Sequence, residues 1–136
     1  MLRSIGAVIL GYLAMAIPIF ATTTGHMILV LGKMPEPPAH MDLPVSFGVV
    51  NLVYSTLFAA FGGFVCAAIA SQNRLKHGLV LAGLVFVLSL VSVYIDRGQQ
   101  PVWYQASLVL LGAPATAIGA WIRAKKEPAS AAAVGA

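Results

Sequence analysis

Charge is what this sequence lacks most. Only 9% of its 136 residues are Asp, Glu, Lys or Arg, and 60% are hydrophobic. A soluble domain carries about 25% charged residues. The shortage excludes an ordinary soluble fold and predicts an integral membrane protein of one domain, as does a mean hydropathy of +0.91. Cysteine is nearly absent too. Cys66 stands alone, which excludes an internal disulfide, and its Ala and Val neighbours predict an inert buried thiol. The chain has no glycine-rich phosphate loop, no nucleophile elbow and no paired carboxylates. "FGGF" at residues 61–64 has no lysine or hydroxyl neighbour and reads as a packing feature. These absences argue against an enzyme and predict no bound cofactor.

The few charges are placed with order. Eight basic and four acidic residues all fall between or outside four uncharged runs. A run of about 18 or more apolar residues can cross a bilayer as a helix. Backbone groups in lipid must be satisfied within the segment, and the runs lack the alternation of a membrane barrel. The expectation is an all-α membrane protein, an antiparallel bundle of four transmembrane helices at about residues 4–31, 45–70, 77–95 and 102–122. Pro18 should kink the first helix. The proline-rich segment "GKMPEPPAHMDLP" (32–44) is expected as a loop, and "SQNRLK" and "DRGQQ" as short turns. Residues 1–123 form the membrane domain in this reading, and 124–136 a disordered cytoplasmic tail. The first run is too long for a cleaved signal core.

Net charge is +4, but the basic residues are spread thinly at helix ends, which does not suit nucleic acid. They suit orientation instead. Arg3, Arg74, Lys76, Arg123, Lys125 and Lys126 share one side of a four-span arrangement, with Lys33 and Arg97 on the other. The positive-inside tendency then puts both termini in the cytoplasm. Tyr94, Trp103, Tyr104 and Trp121 fall at helix ends, as interfacial aromatic belts do.

Polar residues also keep to one half of the membrane. "FATTTGHMIL" (20–29) breaks an apolar run with three threonines, a glycine and a histidine. Compared by depth along alternating helices, Thr22, His26, Asn51, Tyr54, Ser55, Ser89 and Gln105 share the outer half. They are the candidate lining of a polar cavity. The plainer explanation is hydrogen bonding between helices, at about 0.6 kcal/mol per pair. The inner half is rich in small residues. Gly11, Gly62, Gly63, Ala67, Gly78, Ala82, Gly112 and Gly119 are the candidate packing positions, since small side chains let helix backbones approach in lipid. Gly6 and Gly83 belong to the same set. A shift of fifty residues lays Tyr54 on Tyr104, Gly62 on Gly112, Ala67 on Ala117 and Ala70 on Ala120, a weak echo of a two-helix duplication.

Metal and haem chemistry find little support. His26, Glu36, His40 and Asp42 are residue types that suit zinc, but their spacing follows no metal motif, and a solvated loop is the stronger expectation. His26 and His77 lie at opposite depths and cannot share one haem. No Asp or Glu lies inside a span. The chain thus matches the small four-helix multidrug exporters in size but lacks their membrane-embedded glutamate, which argues against proton-driven export.

"FGGFVCAAIASQNRLKHGLVLAGLV" (61–85) and "PVWYQASLVLLGAPATAIGAWIR" (101–123) resemble small uncharacterised bacterial inner-membrane proteins. The shared pattern is a helix ending in Gly-Gly and small residues, a basic turn, and a helix opened by His-Gly. The resemblance implies four membrane helices and a bacterial inner-membrane location, and it brings no activity. The functional expectation is a non-enzymatic protein in the lipid bilayer that works through helix packing, as a homo-oligomer or a subunit of a membrane complex. The alternative is a small transporter or channel for a neutral polar solute.

Overall fold

Four apolar stretches become four helices in the computed structural model, which describes residues 2–32 and 44–126. Helix α1 spans Leu2–Leu31, α2 Val45–Ile69, α3 Arg74–Ile95 and α4 Val102–Lys125. Even the shortest, at 22 residues, reaches about 33 Å at 1.5 Å per residue. All four are long and apolar enough to cross a membrane, so this is a multi-pass membrane protein built only from helices among the described residues.

The ends follow local chemistry. Gly32 takes φ +72° after α1, and its amide bonds the Ile28 carbonyl at 2.8 Å, the left-handed stop that glycine allows without steric cost. Pro44 and Pro101 precede α2 and α4, where the missing amide costs no helical bond. The bend before α3 is shorter than the sequence suggests. Asn73 adopts φ 50°, ψ 44°, a left-handed conformation that asparagine tolerates. It turns the chain quickly enough for Arg74 and Lys76 to join the first turn of α3. The helix therefore begins three residues before the expected 77.

Helix α4 also outruns its expected end at 122 and takes in Arg123, Ala124 and Lys125. Cations are favourable at a helix C-terminus, and these side chains have aromatic surfaces to cover. Arg123 lies 5.9 Å from the Phe64 ring and Lys125 5.0 Å from Trp121. The tail expected from 124 thus begins inside a helix, and residues 127–136 lie outside the described residues. Both Pro18 and Pro114 stand within helices that continue past them.

Helix α2 is the centre of the bundle, packed against α1, α3 and α4, whereas no Cα of α1 comes within 8 Å of one in α4. Small residues set the spacing. A Cβ on Gly63 would run into the backbone carbonyl of Thr116, and one on Gly119 into that of Ala60. Helices α2 and α4 therefore meet backbone to backbone, as small residues permit in lipid. A Cβ on Gly11 would stand 2.6 Å from Cys66 Cβ, and one on Gly62 2.7 Å from the Gly11 carbonyl. Gly78 faces the Ala120 methyl, and Gly112 makes only ordinary contact with Val85. Ala67 and Ala82 are buried. Gly6 and Gly83 differ from the rest, since a Cβ at either would meet nothing within 4 Å.

The buried core joins Ala7, Met15, Ala59, Cys66, Leu81, Val85 and Ala115 across all four helices. Long aliphatic side chains such as Ile17, Leu57, Val80 and Leu110 point outward, the reverse of a soluble bundle and suited to a lipid solvent. Helices α1 and α3 touch through Gly11 and Leu81. From there the space between them is open.

Candidate functional site

Asn51 organises the polar end of the bundle. It is 2% exposed, and an amide so buried needs partners for two donors and two lone pairs. It has all four. Nδ2 donates to Thr23 Oγ1 at 3.1 Å and to the Tyr54 hydroxyl at 2.7 Å. Oδ1 accepts from Ser55 at 3.0 Å and from the Tyr104 hydroxyl at 2.8 Å. Tyr54 in turn donates to Thr23 Oγ1 at 3.2 Å. One side chain thereby ties α2 to α1 and to α4.

A second polar group joins α3 to α4. The Gln105 amide donates to the Asp96 backbone carbonyl at 3.1 Å, and Ser92 Oγ donates to the Asp96 carboxylate at 3.0 Å.

Between these groups lies a cleft of about 550 Å³ to which all four helices contribute. Its walls are mostly apolar: Tyr12, Met15 and Ile19 from α1, Val85 and Leu88 from α3, Val109 from α4. Thr23, Asn51, Ser92, Asp96, Gln100 and Gln105 supply polar groups toward one end. A further space of about 50 Å³ shares Thr23, Gln100 and Tyr104 with it. Those three residues stand between the two.

Of the candidate cavity residues, Asn51, Ser55, Ser89 and Gln105 line the cleft. Tyr54 does not, although it belongs to the Asn51 network. His26 is outside the lining: it stacks on Phe47 with ring centroids 4.4 Å apart and meets the Tyr54 ring edge-on at 6.3 Å, and its Nδ1 is buried without a hydrogen-bond partner among the described residues. Thr22 is outside the lining, and its neighbour Thr23 carries the contacts. Tyr104 joins Asn51 directly, so it is more than an interfacial ring. Asp96 closes α3 and reaches the cleft. By sequence, Tyr104 falls in an interfacial belt and Asp96 in a turn, and nothing in the sequence marks their partners.

Among the described residues no three His, Cys, Asp or Glu side chains gather as metal ligands. Glu36, His40 and Asp42, three of the four candidate zinc ligands, lie outside the described residues. His77 bonds the Asn73 carbonyl at the start of α3, far along the bundle from His26.

The arrangement is suited to binding. It places hydroxyls, glutamine side chains and one carboxylate at the end of an apolar slot, beside an Asn51 amide whose own hydrogen bonds are all made within the bundle. Comparison with protein-family models, curated proteins and solved structures yields no match.

Proposed function

We propose that this is a non-enzymatic protein of the bacterial inner membrane that takes a small amphiphilic molecule from the bilayer into its cleft. The supporting frame is an antiparallel bundle with both termini in the cytoplasm. The basic residues favour that orientation, and the connections at 70–73 and 96–101 are short enough to make successive helices antiparallel neighbours. The resemblance to small bacterial inner-membrane proteins supports the location.

The cleft is the observation that carries the reading. At about 550 Å³ it falls within the range of about 300–1,000 Å³ typical of small-molecule sites, and like them it is mostly apolar with a few placed polar groups. Such a lining suits an amphiphile better than the neutral polar solute of a hydrophilic pore. Ala16 lines the cleft and is half-buried, so a large side chain there would occupy the space. Equilibrium dialysis of dodecyldimethylamine oxide against nanodiscs tests this. Saturable binding is expected for the wild-type protein, and its loss is expected in Ala16→Trp with thermal unfolding unchanged. Uptake no greater than by empty nanodiscs would refute the proposal.

A second reading, a homo-oligomer or a subunit of a membrane complex, draws on Gly6 and Gly83. Most of the small residues are used inside the bundle, but these two leave room for another helix to approach. Crosslinking of Gly6→Cys and Gly83→Cys variants in native membranes tests it, with crosslinked dimers or larger adducts as the expected result.

A further inference from the structure

Asp96 is the one acidic residue among the described residues, and it stands in the wall of the cleft. It forms no ion pair among them. Its carboxylate has a single neutral partner, Ser92. The adjacent cation, Arg97, lies 4.5 Å from the Tyr94 ring centroid.

The backbone around Asp96 is held from several sides. Its amide bonds the Ser92 carbonyl at 2.8 Å, and its carbonyl accepts from the Gln99 amide and from the Gln105 side chain. It also caps the C-terminus of α3, whose last turn contains no basic residue. The free carbonyls of a helix C-terminus carry partial negative charge. A carboxylate placed there deepens that negative field and disfavours the helix end, which a cation would relieve. The opposite reach of the cleft is hydrocarbon, with Ala16, Ile19, Val85 and Val109 along it.

We infer that the cleft takes a cationic amphiphile, with its positive head against the Asp96 carboxylate and its tail along the apolar walls between α1 and α3. This rests on the cleft being a binding site. It adds the sign of the ligand's charge and the residue that reads it. In the proposed orientation the head faces the periplasmic side of the membrane.

Two probes of equal chain length separate the claims: dodecyltrimethylammonium, a fixed cation, and net-neutral dodecyldimethylamine oxide. Both are measured by equilibrium dialysis against protein in nanodiscs. The wild-type protein is expected to bind the cation about tenfold more tightly, the size of one charge-assisted contact. Added salt should narrow the gap by screening. Asp96→Asn preserves the acceptor for Ser92 and should bring the two probes to equal affinity, with the ratio of the two affinities as the readout. The preference is a ratio within one preparation, so partial loss of folded protein does not alter it. Equal binding of both probes by the wild-type protein, or an undiminished preference in Asp96→Asn, overturns the inference and leaves the cleft intact as a site. Failure of both probes to bind removes the site itself.

Discussion

Tyr104 donates a hydrogen bond of 2.8 Å to Asn51 Oδ1, joining α4 to α2 at the point where Asn51 also reaches Thr23 on α1. Three helices therefore depend on one amide. Asn51→Leu keeps the bulk and removes four hydrogen bonds. At about 0.6 kcal/mol for each polar contact in a membrane bundle, the expected loss is about 2 kcal/mol. Tyr104→Phe removes one bond and should cost about 0.6 kcal/mol. Reversible unfolding in mixed micelles reads both values, and equal stability of Asn51→Leu and the wild-type protein would contradict the central role of the amide.

Backbone contact between α2 and α4 makes a sharper prediction. In Gly63→Ala the new methyl meets the Thr116 carbonyl, and in Gly119→Ala it meets that of Ala60. Neither obstacle can swing aside, so the helices must separate. Each substitution should destabilise by about 3 kcal/mol, the upper end of ordinary overpacking. Gly83→Ala has open space around it and should gain up to about 1 kcal/mol from helix propensity. The same unfolding assay compares the three.

Helix existence is legible in the sequence because the cost of a charge in lipid confines all twelve charged positions to the ends and connections. Boundaries are less so. The basic pair in "SQNRLK" looks like turn material, yet a single left-handed Asn73 completes the bend and leaves Arg74 and Lys76 helical. The site shows a similar division. Depth along an axis groups Thr22, Thr23 and Thr24, but successive residues point about 100° apart, and rotation about α1 alone selects Thr23 for the bond to Asn51. His26 shares the depth of the polar layer and faces Phe47 instead. Ser55, four residues from Asn51, is accessible to sequence reasoning because that spacing shares a helix face. The role of Asp96 is not, since a lone acid in a turn has the same composition whether it faces water or a cleft.

Cys66 is wholly buried against Gly11. Maleimide should leave it unmodified in the folded protein and label it fully once sodium dodecyl sulfate has unfolded the chain. Mass spectrometry distinguishes the two. Rapid labelling under native conditions would show that α1 and α2 separate there.

The proposed orientation is open to the same chemistry. In a Cys66→Ala background, single cysteines at Ser71 and Gln99 sit in the connections on either side of α3, and both positions are exposed. A membrane-impermeant maleimide applied to whole cells with a permeable outer membrane should label Gln99→Cys and spare Ser71→Cys until the inner membrane is broken. The reverse pattern would invert the bundle and move Asp96 to the cytoplasmic face.

The separation of the α1 and α4 backbones bears on how the molecule is made. Helix α1 is made before α4 and does not depend on close backbone packing against it. Once α2 has been inserted, α1 can settle against it through Gly11, Gly62 and Thr23 while the rest is still being translated. The tight backbone seam at Gly63 and Gly119 must wait for α4, so closure of the bundle comes only after that helix has been made. Until then the bare glycine face of α2 is the part of the nascent protein most open to a wrong neighbour.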